Sequence, residues 1–147
     1  MTKKLTLTTH AYENLVAHLV DMEERRVQLI DSYFQDYNKQ REEFEQLMDS
    51  YISQLDHAVK NIECCENSDN NFPFVCLNSE IDIEDIEEAE TYSYRIISPD
   101  STHNGDNYIT MLSPMGKALL CKKEGEIVSV NTPSGVYRYR IKSIRLQ

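Results

Sequence analysis

Four cysteines and four histidines are the residues most able to hold a metal or act as nucleophiles, but their spacing fits neither role. They are Cys64, Cys65, Cys76, Cys121, His10, His18, His57 and His103. No two cysteines form a Cys-x-x-Cys pair, and no histidine stands at the spacing of a zinc ligand. The sequence therefore predicts reduced structural thiols and no metal site.

Charge is segregated along this chain of 147 residues, which has a net charge of −10. Residues 64–91 contain nine acidic and no basic side chains, whereas residues 92–147 contain eight basic and four acidic ones. The acidic total argues against strong non-specific binding to nucleic acid, because such binding requires neutralised phosphates. It does not exclude binding to a protein that itself holds nucleic acid.

The basic side chains near the C-terminus recur along one predicted strand, and they are Arg138, Arg140, Lys142 and Arg145. They face either an acidic partner or the acidic segment 80–90 of the same chain, and internal pairing is the interpretation we favour. Exposed pairs of this kind contribute only about 0–1 kcal/mol each.

The first residues, 1–6, lack the apolar segment of a signal peptide. No apolar run approaches the roughly 18 residues needed to span a bilayer. We therefore expect a soluble cytoplasmic protein of one domain or two small ones.

Two apolar stripes at helical spacing occupy the N-terminal sixty residues. Thr9 is the expected cap of the first helix, whose stripe runs from Tyr12 to Tyr37. A polar segment at 38–43 follows. The second stripe steps alternately by four and three residues, the pattern of a coiled-coil seam. Its members are Phe44, Met48, Tyr51, Leu55, Ala58 and Ile62.

Two structures fit these stripes. In one, residues 10–63 form a single helix about 80 Å long that dimerises in parallel. In the other, the chain turns back near Asn38, a residue that tolerates the left-handed conformation. The two helices then bury their stripes on each other within one chain. The spacing alone does not separate these alternatives.

The remainder of the chain predicts a linker followed by short strands. Residues 64–73 are polar and typical of a linker. The predicted strands are 74–77, an edge strand within the acidic run 80–90, then 92–97, 108–112, 126–131 and 136–146. Together they indicate an antiparallel sheet with one short helix.

That short helix begins at a recognisable cap. Ser113 can accept a hydrogen bond from the first turn, and Pro114 fills the one helical position where a missing N–H costs nothing. Gly125 then supplies a turn before the strand that starts at Glu126.

The stretch 113–128 reads Ser-Pro-Met-Gly-Lys-Ala-Leu-Leu-Cys-Lys-Lys-Glu-Gly-Glu-Ile-Val. It resembles the Ser-Pro-x-Gly-x-Ala-Leu-Leu-Gly-x-x-x-Gly-Asp-x-Val signature of the bacterial Gre transcript-cleavage factors. Here Cys121 replaces a glycine and Glu126 replaces the aspartate. The likeness continues through the Thr-Pro-Ser-Gly turn at 132–135 and the closing strand.

This resemblance implies an α+β fold and favours the hairpin over the long helix. The Gre family begins with an antiparallel α-helical coiled-coil hairpin, followed by an FKBP-like antiparallel β-sheet domain with one short helix. On that basis we expect a hairpin at 1–63, a linker at 64–73 and the C-terminal domain at 74–147.

The resemblance also directs attention to the hairpin tip. Gre factors insert this tip into the secondary channel of RNA polymerase, where acidic residues help to hold Mg²⁺ for cleavage of backtracked RNA. The family tip motif is Gly-Asp-Leu-x-Glu-Asn-x-Glu-Tyr. Asp36 matches its aspartate, but Gln35 replaces its glycine and Lys39 stands where its first glutamate is expected. Asp36, Glu42 and Glu43 are thus candidate catalytic residues, and solvated helix-surface charges are the alternative.

The expected partner is bacterial RNA polymerase, with RNA and DNA reached only through the elongation complex and with any Mg²⁺ supplied by the polymerase. In the family the loop before the short helix contacts the polymerase, which makes Leu112, Ser113, Pro114 and Met115 candidate binding residues. We expect a monomeric accessory factor rather than an enzyme, with no membrane partner. Two alternatives stay open: a cleavage-inactive homologue that competes for the channel, and a coiled-coil homodimer that binds another protein.

Overall fold

The computed structural model describes residues 5–102 and 105–147. His103 and the first four residues, considered above, lie outside these ranges. The chain divides into two compact units, Met1–Ser68 and Asp69–Gln147.

Two long helices precede a sheet that carries one short helix, which confirms the α+β fold class. In chain order the elements are β1 (Leu5–Leu7), α1 (Thr9–Tyr33), α2 (Lys39–Val59), β2 (Ile62–Cys64), β3 (Glu80–Asp85), β4 (Glu90–Ile97), β5 (Tyr108–Thr110), α3 (Pro114–Leu119), β6 (Ile127–Thr132) and β7 (Gly135–Arg145).

The helices of the first unit form an antiparallel hairpin. His18 Nε2 lies 2.7 Å from the Tyr51 hydroxyl, and the rings of Phe34 and Phe44 stack 4.7 Å apart at the turn. Partners therefore converge in sequence toward the loop at 34–38, as they must in an antiparallel pair. The continuous helix over 10–63 does not form, so the long-helix alternative is wrong for this chain.

Apolar burial along the two predicted stripes holds the hairpin together. The buried members are Leu15, Leu19, Met22, Leu29, Ile30, Phe44, Met48, Tyr51 and Leu55. The steps are four and three residues from Leu15 to Met22 and four, three and four from Phe44 to Leu55, so each helix covers the other's apolar face. β1 and β2 pair in parallel where the chain enters and leaves the hairpin.

The residues that cap the starts of the two hairpin helices differ from the prediction. Thr8, not Thr9, caps α1, because its hydroxyl accepts the N–H of Ala11. Asn38 does not turn the chain in a left-handed conformation. It is extended at φ −134° and caps α2 by accepting the N–H of Arg41 at 3.0 Å.

The second unit is a five-stranded sheet in the order β5-β4-β3-β7-β6. Four of the strands pair antiparallel, and β5 joins β4 in parallel, so the sheet is mixed. Residues 80–85 were expected at an edge but form the central strand. Residues 74–77 are buried without forming a strand, and only Phe74 makes an isolated bridge, with Lys123.

The central position of β3 follows from its alternating side chains. Ile81 and Ile83 are fully buried on one face of the sheet, whereas Glu80, Asp82 and Glu84 lie on the other. The acidic face is tolerated in the middle of the sheet because arginines on the neighbouring strands stand opposite these carboxylates.

Candidate functional site

The hairpin tip is organised around Arg41, which is only 8% exposed. Its guanidinium donates to the backbone oxygen of Phe34 at 2.6 Å, to Asp31 at 2.7 Å and to Glu45 at 2.9 Å. The hydrogen bond with Asp31 is the main cause that raises the pKa of Arg41 above its ordinary value. A single charged side chain thus joins the end of α1, the loop and the start of α2.

An aromatic side chain completes the tip. The guanidinium carbon of Arg41 lies 4.3 Å from the centre of the Tyr37 ring, within the range of a cation–π contact. Tyr37 itself is 88% exposed. The tip therefore presents an aromatic ring to solvent while a buried cation holds that ring from one side.

The candidate catalytic carboxylates are exposed but are not gathered into a cluster. Asp36 lies in the loop, Glu42 lies in the first turn of α2, and Glu43 follows it. Within residues 5–102 and 105–147, no group of three or more His, Cys, Asp or Glu side chains is arranged to hold a metal ion. A Mg²⁺ ion often takes only one or two protein carboxylates, and an exposed Asp36 fits a role of that limited kind.

Sequence reasoning missed Arg41 as the organising residue, although a signal for it was present. The coiled-coil seam, continued backward from Phe44 by a step of three, reaches Arg41. An arginine at a seam position must bury its aliphatic stem and find partners for its charged head. Asp31, ten residues earlier, supplies one partner.

The second candidate site is the loop before α3, and it is held by short-range hydrogen bonds. The Ser113 hydroxyl accepts the N–H of Gly116 at 3.0 Å and donates to the Thr110 carbonyl at 2.8 Å. The predicted cap, with Pro114 in the first turn, is thereby confirmed. Pro114 is exposed, and Leu112, Ser113 and Met115 are partly exposed.

Gly116 allows this loop to lie close to the strand before it. An added Cβ would stand 2.9 Å from the Met111 Cα and would collide with the Thr110 carbonyl oxygen. Only glycine fits there, so the Ser-Pro-Met-Gly sequence at 113–116 encodes a rigid loop as well as a cap.

The C-terminal arginines pair within the chain, as we favoured. Arg138 pairs with Glu87, Arg140 with Glu84, and Arg145 with both Glu80 and Asp82, at N–O distances from 2.8 to 3.4 Å. Lys142 is the extra residue of a bulge opposite Asp82 and Ile83. The strand therefore does not present four unpaired cations to a partner.

All four cysteines are free thiols, as predicted. Burial raises the pKa of Cys76 to about 12 and that of Cys121 to about 11, which disfavours the nucleophilic thiolate. Cys121 has φ +73°, the left-handed region that suits the glycine of the Gre signature.

The second unit matches a protein-family model described as "Transcription elongation factor, GreA/GreB, C-term" over residues 70–146. This chain belongs to the GreA/GreB family. The resemblance noted in the Ser-Pro-Met-Gly stretch is thereby confirmed.

Relatives in the GreA/GreB family align with part or nearly all of the chain. The transcription elongation factor GreA of Syntrophobacter fumaroxidans is 34% identical over 99 residues, which cover 67% of this chain and 64% of that protein. The GreA of Thermotoga maritima is 27% identical over 153 residues, covering 97% of each chain.

A solved structure of the prokaryotic transcription elongation factor GreA/GreB from Nitrosomonas europaea shares the fold. It is 20% identical, has a TM-score of 0.51, and covers 98% of this chain and 99% of that one. Separately, neither the hairpin helices nor any other helix in the described ranges is long and apolar enough to cross a membrane.

Proposed function

We propose that this chain is an accessory transcription elongation factor that binds bacterial RNA polymerase. The observation that carries the proposal is the union of an antiparallel helical hairpin with a GreA/GreB C-terminal unit in one chain. Relatives that align over nearly their whole length are named transcription elongation factor GreA. Such a factor acts on the polymerase in the cytoplasm and has no active site of its own.

The hairpin is suited to enter a narrow pore. Its first helix has 25 residues, which is about 37 Å of helix at 1.5 Å per residue. Two packed helices are only about 20 Å across, given helix diameters near 10 Å. We propose that the tip enters the secondary channel of the polymerase and that the factor works as a monomer. RNA and DNA are reached only through the elongation complex.

The loop before α3 is the proposed docking contact at the channel rim. Its residues Leu112, Ser113, Pro114 and Met115 are at least partly exposed. The hydrogen bonds of Ser113 and the tight approach at Gly116 fix the loop before any partner arrives. A preformed loop loses little conformational entropy on binding, which favours affinity.

Two modes of action fit this placement. In the first, Asp36, assisted by Glu42 or Glu43, helps to orient Mg²⁺ held by the polymerase, which supplies Lewis-acid assistance to hydrolysis of backtracked RNA. In the second, the chain occupies the channel without promoting cleavage. The second mode is favoured by the tip, where Lys39 reverses a charge of the family motif and Arg41 engages the carboxylates of Asp31 and Glu45.

Backtracked elongation complexes distinguish the modes. The chain is added to complexes whose RNA carries a label at each end, so that released 3′ fragments and resumed elongation of the retained RNA are both measured. The competitor mode predicts inhibition of a cleaving Gre factor with no fragments above the polymerase's intrinsic rate. The cleaving mode predicts fragments that disappear with Asp36→Asn.

Glu24→Gln in the middle of α1 is the matched control, because it also removes one exposed carboxylate of the hairpin but lies far from the tip. A Ser113→Ala, Pro114→Ala double variant should weaken binding to core polymerase. If the wild-type chain does not bind polymerase, the proposed function is wrong in either mode.

A further inference from the structure

Tyr37 is unusual among the aromatic residues of the described chain. It is 88% exposed, whereas the next most exposed large apolar or aromatic side chain, Val136, is 64% exposed. A tyrosine ring in that position leaves apolar surface in water that a ligand can cover. Its place in the loop at 34–38 puts it at the extreme end of the hairpin.

Arg41 holds this ring in place. The guanidinium lies 4.3 Å from the ring centre and is itself fixed by hydrogen bonds to Phe34, Asp31 and Glu45. A guanidinium can lie over only one face of a ring, so the opposite face of Tyr37 is open to solvent. Arg41 thus contacts one face of the Tyr37 ring, and the other face is presented to solvent.

A flat, open π-face beside a cation is the chemistry that binds single-stranded nucleic acid. Bases stack on tyrosine rings without regard to sequence, and a nearby lysine attracts the phosphate. Lys39 is exposed two residues from Tyr37. In the Gre tip motif these two positions hold leucine and glutamate. Both replacements in this chain therefore favour nucleic-acid binding.

We infer that Tyr37 is a stacking platform for a nucleobase at the 3′ end of RNA extruded into the polymerase channel. The inference rests on the proposed function, because the tip must first enter the channel. Net acidity of the first unit argues against affinity for free RNA, so the contact forms only where the polymerase presents the RNA. The ring, rather than its hydroxyl, makes the contact.

The test compares two elongation complexes made on defined scaffolds. One is backtracked and has 4-thiouridine at its RNA 3′ end, and the other is post-translocated with no RNA in the channel. Dissociation constants are measured for the wild-type chain, Tyr37→Leu and Tyr37→Phe. Tyr33→Leu is the matched control, since Tyr33 is also an exposed tyrosine near the tip.

Tyr37→Leu should weaken binding to the backtracked complex by about 5- to 160-fold, the range for one base stacked on an aromatic ring. It should leave binding to the post-translocated complex within about twofold and abolish the photocrosslink from 4-thiouridine to the tip. Tyr37→Phe and Tyr33→Leu should behave as the wild type. Circular dichroism confirms folding of each variant.

Equal loss of affinity for both complexes would show that the ring contacts polymerase protein, and the inference would be overturned. Unchanged affinity for the backtracked complex would overturn it as well. Either result leaves the proposed function standing, because the wild-type chain still binds. A wild-type chain that binds neither complex overturns the proposed function first and the inference with it.

Discussion

At the scale of single residues, Arg41 determines what the tip can offer a partner. It engages Asp31 and Glu45, so two of the carboxylates nearest the loop are already neutralised by ion pairs. Asp36 is left as the exposed acid of the loop itself. One buried arginine therefore reduces the negative charge that the tip can place beside a bound cation.

His18 is the residue whose protonation should control hairpin stability. Burial is the main cause that lowers its pKa to about 4, nearby Asp21 raises the pKa in part, and Arg25 lowers it. Nε2 lies 2.7 Å from the hydroxyl of Tyr51, a side chain with no exposed surface. The neutral imidazole is thus the form that the folded hairpin accommodates.

Because the folded pKa lies below the unfolded value, stability is fully present above about pH 6.5 and is lost as pH falls toward 4. Between pH 7 and pH 5 the loss from this residue should be about 2 kcal/mol. Urea unfolding at the two pH values measures the loss. His18→Gln cannot titrate and should lose most of this slope, whereas a titration of His18 near 6.5 in the folded chain would contradict the prediction.

Some local features of the structure could be predicted from the residue types, and others could not. The cap at Ser113 was readable because its partner lies three residues away. The burial of Arg41 was harder to predict because charge normally indicates solvent exposure. The left-handed conformation of Cys121 could be inferred only from the glycine that the Gre signature places there.

At the scale of elements, β3 shows why acidic content is a poor guide to strand position. Its carboxylates suggested an edge strand beside solvent. They pair with arginines of β7 that lie 56 to 65 residues later in the chain. Pairings at that separation depend on the order of the strands, which local patterns of hydrophobicity do not determine. The pairing of the two hairpin helices was easier to predict, because their apolar stripes are joined by a loop of only five residues.

We predict that burial, rather than the ion pairs, holds β3 at the centre of the sheet. Ile83 is fully buried, so Ile83→Ala should lower the free energy of unfolding by about 2–5 kcal/mol. Arg140→Ala removes the pair with Glu84 from the half-exposed face and should cost less than about 1 kcal/mol. Thermal and urea unfolding of the two variants provide the measurement. Similar losses from both would mean that the charged face contributes as much as the core.

At the scale of the whole molecule, each unit contains its own apolar core. The hairpin buries its stripes between two helices, and the sheet buries Ile81, Ile83, Ile96, Ile141 and Ile144. The division into units at 1–68 and 69–147 is consistent with the proposed function, in which the first unit enters the channel and the second docks at its rim. The family could be recognised from the second unit, because the cap and the tight turn there depend on the Ser-Pro-Met-Gly sequence itself.

Self-association is the property that most sharply separates the hairpin from the long-helix alternative. In the described hairpin the seam residues Phe44, Met48 and Leu55 are already covered by α1, so no continuous apolar stripe is left for a second copy. The exposed large side chains on the helices are Val20, Val27 and Tyr33. They lie six or seven residues apart, whereas the members of a coiled-coil seam recur every three or four residues.

Light scattering coupled to size exclusion should therefore report a mass near 17.1 kDa at micromolar concentrations. The value should hold across dilution, because a dimer that depended on a shared coiled coil would dissociate with falling concentration. Met48→Asp provides an internal check. It places a charge in the hairpin core and should lower the free energy of unfolding. The mass of the variant should still be that of one chain. A stable mass of twice the chain would mean that the helices pair between copies, and a paired rod could not enter the channel as a single hairpin.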